Sequence, residues 1–238
     1  MRLDRFIQRN TLHGKQACRE LIAAGRVQVG GEVCRDLHRE IDPFTTVRLG
    51  DELLQQRQAR YLMLHKPAGV VSSTEHDEHP TVLDLLPEGL RGDLHLAGRL
   101  DLKTTGLMLL TNDGGWSRKV TQPEEKIPKV YRVQTKDPVA PETAEVFTRG
   151  IYFATEDITT LPAQLETIDS HTSRLTLYEG RYHQVKRMFG HLRNEVVGLH
   201  REQVGQLSLG DLKPGQYREL SAAERLHIFA RGEIHSDS

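Results

Sequence analysis

Apolar positions recur at helical spacing over residues 2–9, where Leu3, Phe6 and Ile7 share one stripe and Arg2, Arg5 and Arg9 share another. The pattern returns over 15–24. Ala17, Leu21 and Ala24 are expected to face inward, with Lys15 and Arg19 on another side and Gly25 ending the helix. Alternation takes over in Val27-Gln28-Val29-Gly30-Gly31-Glu32-Val33, two strands about a Gly-Gly pair that suits a tight hairpin. Thr46-Val47-Arg48-Leu49 reads as one more strand. The sequence therefore predicts a small αα-β module over 1–50. The polar stretch 51–59 lacks clear periodicity and is expected to be a linker.

Beyond it, short apolar runs alternate with turns and helices. Residues 61–64 read as a strand closed by His65-Lys66-Pro67-Ala68-Gly69, and 107–110 as a buried strand closed by Asn112-Asp113-Gly114-Gly115. Residues 130–133 alternate as a strand; 163–168 and 174–178 read as a strand pair. Helices are expected over 141–149, with proline in the first turn, over 182–191, and after the capping box Ser221-Ala222-Ala223-Glu224. No regular strand–helix beat runs through this part. The fold class is therefore α+β, a larger domain at 60–232 around a mixed, mainly antiparallel sheet, with 233–238 a flexible tail.

Composition narrows the function classes. The 238 residues are 37% hydrophobic and 27% charged, ordinary for a globular protein and too apolar for a disordered one. Cys18 and Cys34 alone cannot build a disulfide framework or a four-ligand zinc site. No apolar stretch approaches bilayer-spanning length and Met1-Arg2-Leu3-Asp4 begins no signal peptide, so no membrane partner and a cytoplasmic setting are expected. Basic residues number 32 against 33 acidic ones, which alone would argue against a nucleic-acid binder. Residues 1–50, however, hold nine basic and six acidic side chains, a local +3, whereas the remainder stands at −4.

No G-x-S-x-G, H-E-x-x-H, P-loop or dinucleotide fingerprint occurs. His76 and His79 lie beside Asp77 and Glu78, but this polar segment ahead of Pro80 is expected to be a solvated loop, not a metal site. The informative stretch is Gly98-Arg99-Leu100-Asp101-Leu102-Lys103-Thr104-Thr105-Gly106 and the apolar run after it. Composition alone lets Asp101 cap a turn, Tyr131 sit in a core, and Arg181, Lys186 and Arg187 form a solvated helix face.

Longer motifs go further. The run from "RLDRFIQ" through "GKQACRELIAAGRVQVGGEVC" resembles the S4 RNA-binding domain, with Arg19, Ile22, Gly25, Val27, Val29 and Gly30 or Gly31 at its turn. "GRLDxxTTGLxLLTNDG" resembles the catalytic loop of the RsuA-type pseudouridine synthases. Lys129-Val130-Tyr131-Arg132-Val133 and "EGRYHQVKRMF" follow in the order that family has, and "HKPAGVVSS" precedes them. The likeness spans essentially the whole chain, and "EGRYHQVKRMF" points within the family to the enzyme of 16S small-subunit ribosomal RNA.

The resemblance implies a central cleft in which a flipped-out uridine is isomerised to pseudouridine. Asp101 would be the nucleophile or base, and Lys186, where many relatives carry arginine, the cation that keeps it ionised. Tyr131 would stack on the uracil and could serve in proton transfer. Arg99 would fill the space the base vacates, while Arg181 and Arg187 would meet phosphates. Arg2, Arg5, Arg9, Lys15 and Arg19 would grip the RNA backbone through contacts that position but do not specify. The reaction exchanges no electrons or group carriers, so no cofactor is expected. The partner would be ribosomal RNA of the small subunit, bare or in an assembling particle, and the enzyme a monomer. Two other classes stay open: a non-catalytic RNA-binding factor, in which Asp101→Asn is silent, and a hydrolase that releases free uracil.

Overall fold

Leu3, Phe6 and Ile7 are buried along one side of α1 (Leu3–Asn10), as their spacing predicts. On α2 (Lys15–Ala23) the inward stripe is instead Cys18 and Ile22, and Ala24 is an exposed C-cap. Of the expected stripe, Ala17 and Leu21 are half-buried, so the helix is rotated to put Cys18 and Ile22 deepest in the core. Gly30 and Gly31, both at positive φ, make the tight turn between β1 (Val27–Val29) and β2 (Glu32–Val33). β3 (Val47–Leu49) pairs with β1, and β4 (Glu52–Gln55) with β3, giving the order β2-β1-β3-β4. The stretch 51–59, expected to be a linker, thus supplies a strand. Gly50, at φ +57°, lets the chain reverse directly after β3, so that β4 forms the edge of this sheet with Leu54 against the core. Cys18 lies in the core of this unit, Met1–Ala59, and Cys34 packs against it.

The structure, a computed structural model, describes residues 1–230; the tail expected at 233–238 lies outside them. The second unit begins at Arg60. Its first half holds β5 (Tyr61–Lys66), α3 (Glu88–Arg91), β6 (His95–Leu96), β7 (Thr105–Thr111), α4 (Gly114–Thr121), β8 (Lys129–Thr135) and α5 (Thr143–Arg149). Then come β9 (Tyr152–Phe153), β10 (Ile158–Thr159), β11 (Gln164–Thr167), β12 (Thr172–Leu177), α6 (Gln184–His191), β13 (Val196–Val204), β14 (Leu207–Ser208), β15 (Tyr217–Glu219) and α7 (Ala222–His227). The main sheet runs β11-β12-β8-β13-β7-β5-β15, with β6 beside β7 and β14 beside β13. Among the described strands of this sheet, only the β7–β13 pairing is parallel, so the sheet is mixed and mainly antiparallel.

Period-two alternation explains why β7 reads as one apolar run. Met108 and Leu110 enter one core while Leu107 and Leu109 enter another; on β5, Leu62 and Leu64 face the first and Met63 the second. The strand β13 carried no such signal, because His200, Arg201, Glu202 and Gln203 occupy its middle. It reaches β7 through Gly106, at φ +115°, where an added Cβ would lie 2.3 Å from the Arg201 carbonyl oxygen. No helix among the described residues is long and apolar enough to cross a membrane.

Candidate active site

Asp101 sits in the loop between β6 and β7, and that loop is fastened from below. Ser72 Oγ donates to the Leu100 carbonyl at 2.6 Å and accepts from the Leu100 N–H at 3.0 Å. The Gly69 N–H donates to the Leu102 carbonyl at 2.9 Å. Lys66, wholly buried at the end of β5, donates from Nζ to the carbonyls of Pro67, Leu102 and Thr104 at 3.0, 3.2 and 2.7 Å. Burial pushes Lys66 down to about 8, against the opposing pull of the Asp101 charge. The "HKPAGVVSS" segment is thus the scaffold of the Asp101 loop.

The Asp101 carboxylate is held from α6. Oδ2 accepts from Lys186 Nζ at 2.8 Å, and His183 Nε2 lies 3.3 Å from Oδ1. His183 and Lys186, three apart, present one face of the helix start to the loop. The helix begins at Gln184, two residues later than predicted, because His183 takes a left-handed conformation (φ +48°) as its N-cap. Its ring stacks on the exposed Tyr182 at 3.9 Å. Buried Glu179 anchors the approach to the helix, accepting from the Leu161 N–H, Gln184 Nε2 and Arg181 Nε at 2.8, 2.8 and 2.9 Å.

Two connected spaces open beside the carboxylate. A recess of about 70 Å³ is lined by Asp101, Thr104, Tyr131, Leu177, Lys186 and Leu199. A cleft of about 610 Å³ shares Arg99, Asp101, Tyr131, Arg181 and His183 with it and extends to Lys129 and Arg201. Tyr131, 8% exposed on β8, belongs to a core and to the wall of both spaces at once. A carboxylate, a partnered ammonium and an aromatic wall around a recess of mixed polar and apolar lining can hold a planar base beside a nucleophile or base.

Five of the expected site residues therefore converge: Asp101, Tyr131, Lys186, Arg99 and Arg181. Arg187 does not. It points away, with its guanidinium 3.7 Å from the Phe153 ring centroid and 2.8 Å from Glu156, so internal partners already occupy it. In the first unit, Arg2 is paired with Asp4 at 2.7 Å; Arg5, Arg9 and Lys15 are exposed, and Arg19 is half-buried. The expectations passed over Lys66, Ser72, His183, Lys129 and Arg201. Four of these lie inside quoted motifs, but only contact with the Asp101 loop or the cleft gives them roles; Arg201 lies in the strand that had no signal.

Comparison with known proteins agrees with this geometry. Residues 60–191 match the family model described as RNA pseudouridylate synthase, and residues 1–51 match the S4 domain. The chain is 53% identical over 226 residues to the ribosomal small subunit pseudouridine synthase A of Pseudomonas aeruginosa, covering 94% of this chain and 98% of that protein. Identity to the protein of the same name from Escherichia coli strain K12 is 46%, with the same coverage. A crystal structure of a pseudouridylate synthase matches with a TM-score of 0.70 at 40% identity, covering 96% of this chain and 99% of that one.

Proposed function

Because the chain belongs to the RNA pseudouridylate synthase family and opens with an S4 domain, we propose that it isomerises one uridine of small-subunit (16S) ribosomal RNA, with Asp101 as the reacting carboxylate. One observation carries the reading: the Asp101 carboxylate, gripped by Lys186 at 2.8 Å, borders a recess walled by Tyr131.

The reaction breaks the bond from ribose C1′ to uracil N1, turns the base, joins C1′ to C5 and releases the C5 proton to N1 or solvent. Every route from uridine needs an ionised carboxylate, whether it attacks C1′, attacks the ring or removes a sugar proton. Lys186 places its ammonium 2.8 Å from Asp101 Oδ2, a charge-assisted hydrogen bond that orients the carboxylate. Lysine grips a single oxygen, so Oδ1 stays turned to His183 and the recess. Tyr131 offers its ring as a stacking surface, worth about 1–3 kcal/mol per base. Extruding the uridine costs a few kcal/mol, and Arg99, two residues before Asp101, enters the vacated stack. Arg5, Arg9, Lys15 and Arg19 of the S4 unit grip the RNA backbone. The enzyme works as a cytoplasmic monomer on bare RNA or an assembling particle.

The test is carbodiimide-blocked primer extension on small-subunit RNA from cells lacking the gene, restored with wild type or with Asp101→Asn. One pseudouridine stop should vanish in the deletion and return only with wild type, while purified Asp101→Asn should bind RNA nearly as well as wild type. An unchanged map in the deletion strain sinks the assignment.

A further inference from the structure

The cleft holds two cations that the reaction at Asp101 does not use. Lys129 and Tyr131 are two apart on β8 and so share a face; Arg201 of β13 stands directly opposite Tyr131 in the register. All three line the 610 Å³ cleft. Arg201 is 3% exposed, and its Nε is spent on the Leu107 carbonyl at 2.8 Å. Among the described residues, a second guanidinium nitrogen meets only the Met108 sulfur, at 3.6 Å. Lys129 Nζ donates to the Ile127 carbonyl at 3.2 Å. Neither forms an ion pair with a described carboxylate: Glu179, whose charge Lys129 feels, is already bound by Arg181, and Asp101 by Lys186.

A buried charge is costly unless an opposite charge meets it, and here two like charges face one space. Burial and the neighbouring Arg201 push Lys129 down to about 8, so the pair repels itself as it stands. An anion between them would satisfy both. In a chain of net charge −1 this local excess of positive charge is a built feature of the cleft wall.

Resting on the RNA reading above, we infer that Arg201 and Lys129 form a phosphate site that holds the backbone linkage beside the flipped uridine, fixing the nucleotide while its uracil occupies the Asp101–Tyr131 recess. Phosphate suits the pair: a guanidinium offers planar paired donors and an ammonium a movable point charge. Anchoring the ribose-phosphate also lets the base detach and turn without leaving the site. The pair is a positioning device and touches no reacting atom.

The experiment takes the hairpin of small-subunit ribosomal RNA that the full-length protein binds most tightly, and replaces its linkages one at a time with uncharged methylphosphonates. Binding is read by fluorescence anisotropy and product by single-turnover pseudouridine formation. Wild type should lose about tenfold in affinity at one linkage next to the modified uridine. Lys129→Met and Arg201→Gln should bind the unmodified hairpin about tenfold more weakly and be indifferent to that same substitution, while keeping wild-type sensitivity at the other linkages. Lys129 is half-buried and bonds one carbonyl, so its variant serves even where Arg201→Gln fails to fold. Variants that remain as sensitive as wild type at every linkage overturn the phosphate site. Binding with the expected signature but no pseudouridine would sustain the site and sink the isomerase reading instead.

Discussion

At position 186 an ammonium holds one oxygen of Asp101 where a guanidinium would hold both. Orientation of the carboxylate is therefore shared with His183 at 3.3 Å, while Lys186 at 2.8 Å is the nearer cation. Lys186→Met should lower the single-turnover rate by roughly 10²–10³, the usual loss when a charge-stabilising donor is removed from a reacting centre. Lys186→Arg should recover most of it, since the charge returns and the fork can take both oxygens. Equal inactivity of the two variants would mean that Lys186 acts through packing, not charge. Asp101, Tyr131 and Lys186 were legible as a set because each sits in a longer motif. His183 was not assigned, because its placement depends on a left-handed residue ahead of α6.

Among the elements, β13 shows what pairing demands of sequence. It runs parallel to β7 at Gly106, where the Arg201 backbone comes so close that no side chain fits. Gly106→Ala should cost on the order of 3 kcal/mol, from a positive φ and a backbone collision together, read as a lowered denaturant midpoint. A neutral outcome would show that the two strands can part without loss. The last helix carries an acid-sensitive clasp. Arg218 on β15 and the Ser221 cap hold Glu224 down to about 2 from its ordinary 4.5. A carboxyl whose folded value is depressed adds stability above its ordinary range and loses it as pH falls through the folded value. Between pH 4.5 and 2, α7 should therefore loosen. Trp116, the single tryptophan, donates from Nε1 to the Arg225 carbonyl, so its fluorescence should shift in that window. In Glu224→Gln the shift should already be present at neutral pH.

For the whole molecule, RNA affinity should fall steeply with salt, since each backbone phosphate neutralised releases condensed counterions. Arg5 and Arg9 are exposed and free of ion pairs among the described residues, whereas Arg2 is clasped by Asp4 at 2.7 Å. Arg5→Ala or Arg9→Ala should reduce the slope of log affinity against log salt by about 0.7–0.9 for each phosphate no longer neutralised; Arg2→Ala should leave it unchanged. Identical slopes for all three would remove α1 from the RNA interface.

Residue order alone determined the elements with a clean local signal: the amphipathic α1, the Gly-Gly hairpin, the buried run of β7 and the Ser221 cap. Each depends on neighbours within a few positions, so local chemistry suffices. It also carried Asp101 and its partners as motifs, without saying that loop, strand and helix would meet. Tertiary structure decided the rest. It made β4 a strand and β13 the centre of the sheet, although neither shows a clean alternation, because hydrogen bonding to a neighbour outweighs weak propensity. It set Lys66 beneath the Asp101 loop, spent Arg187 on Phe153 and Glu156, and left Lys129 and Arg201 beside the cleft without a carboxylate partner among the described residues. A charge's role depends on which opposite charge lies within a few ångströms, and that distance exists only once segments far apart in the chain have folded together.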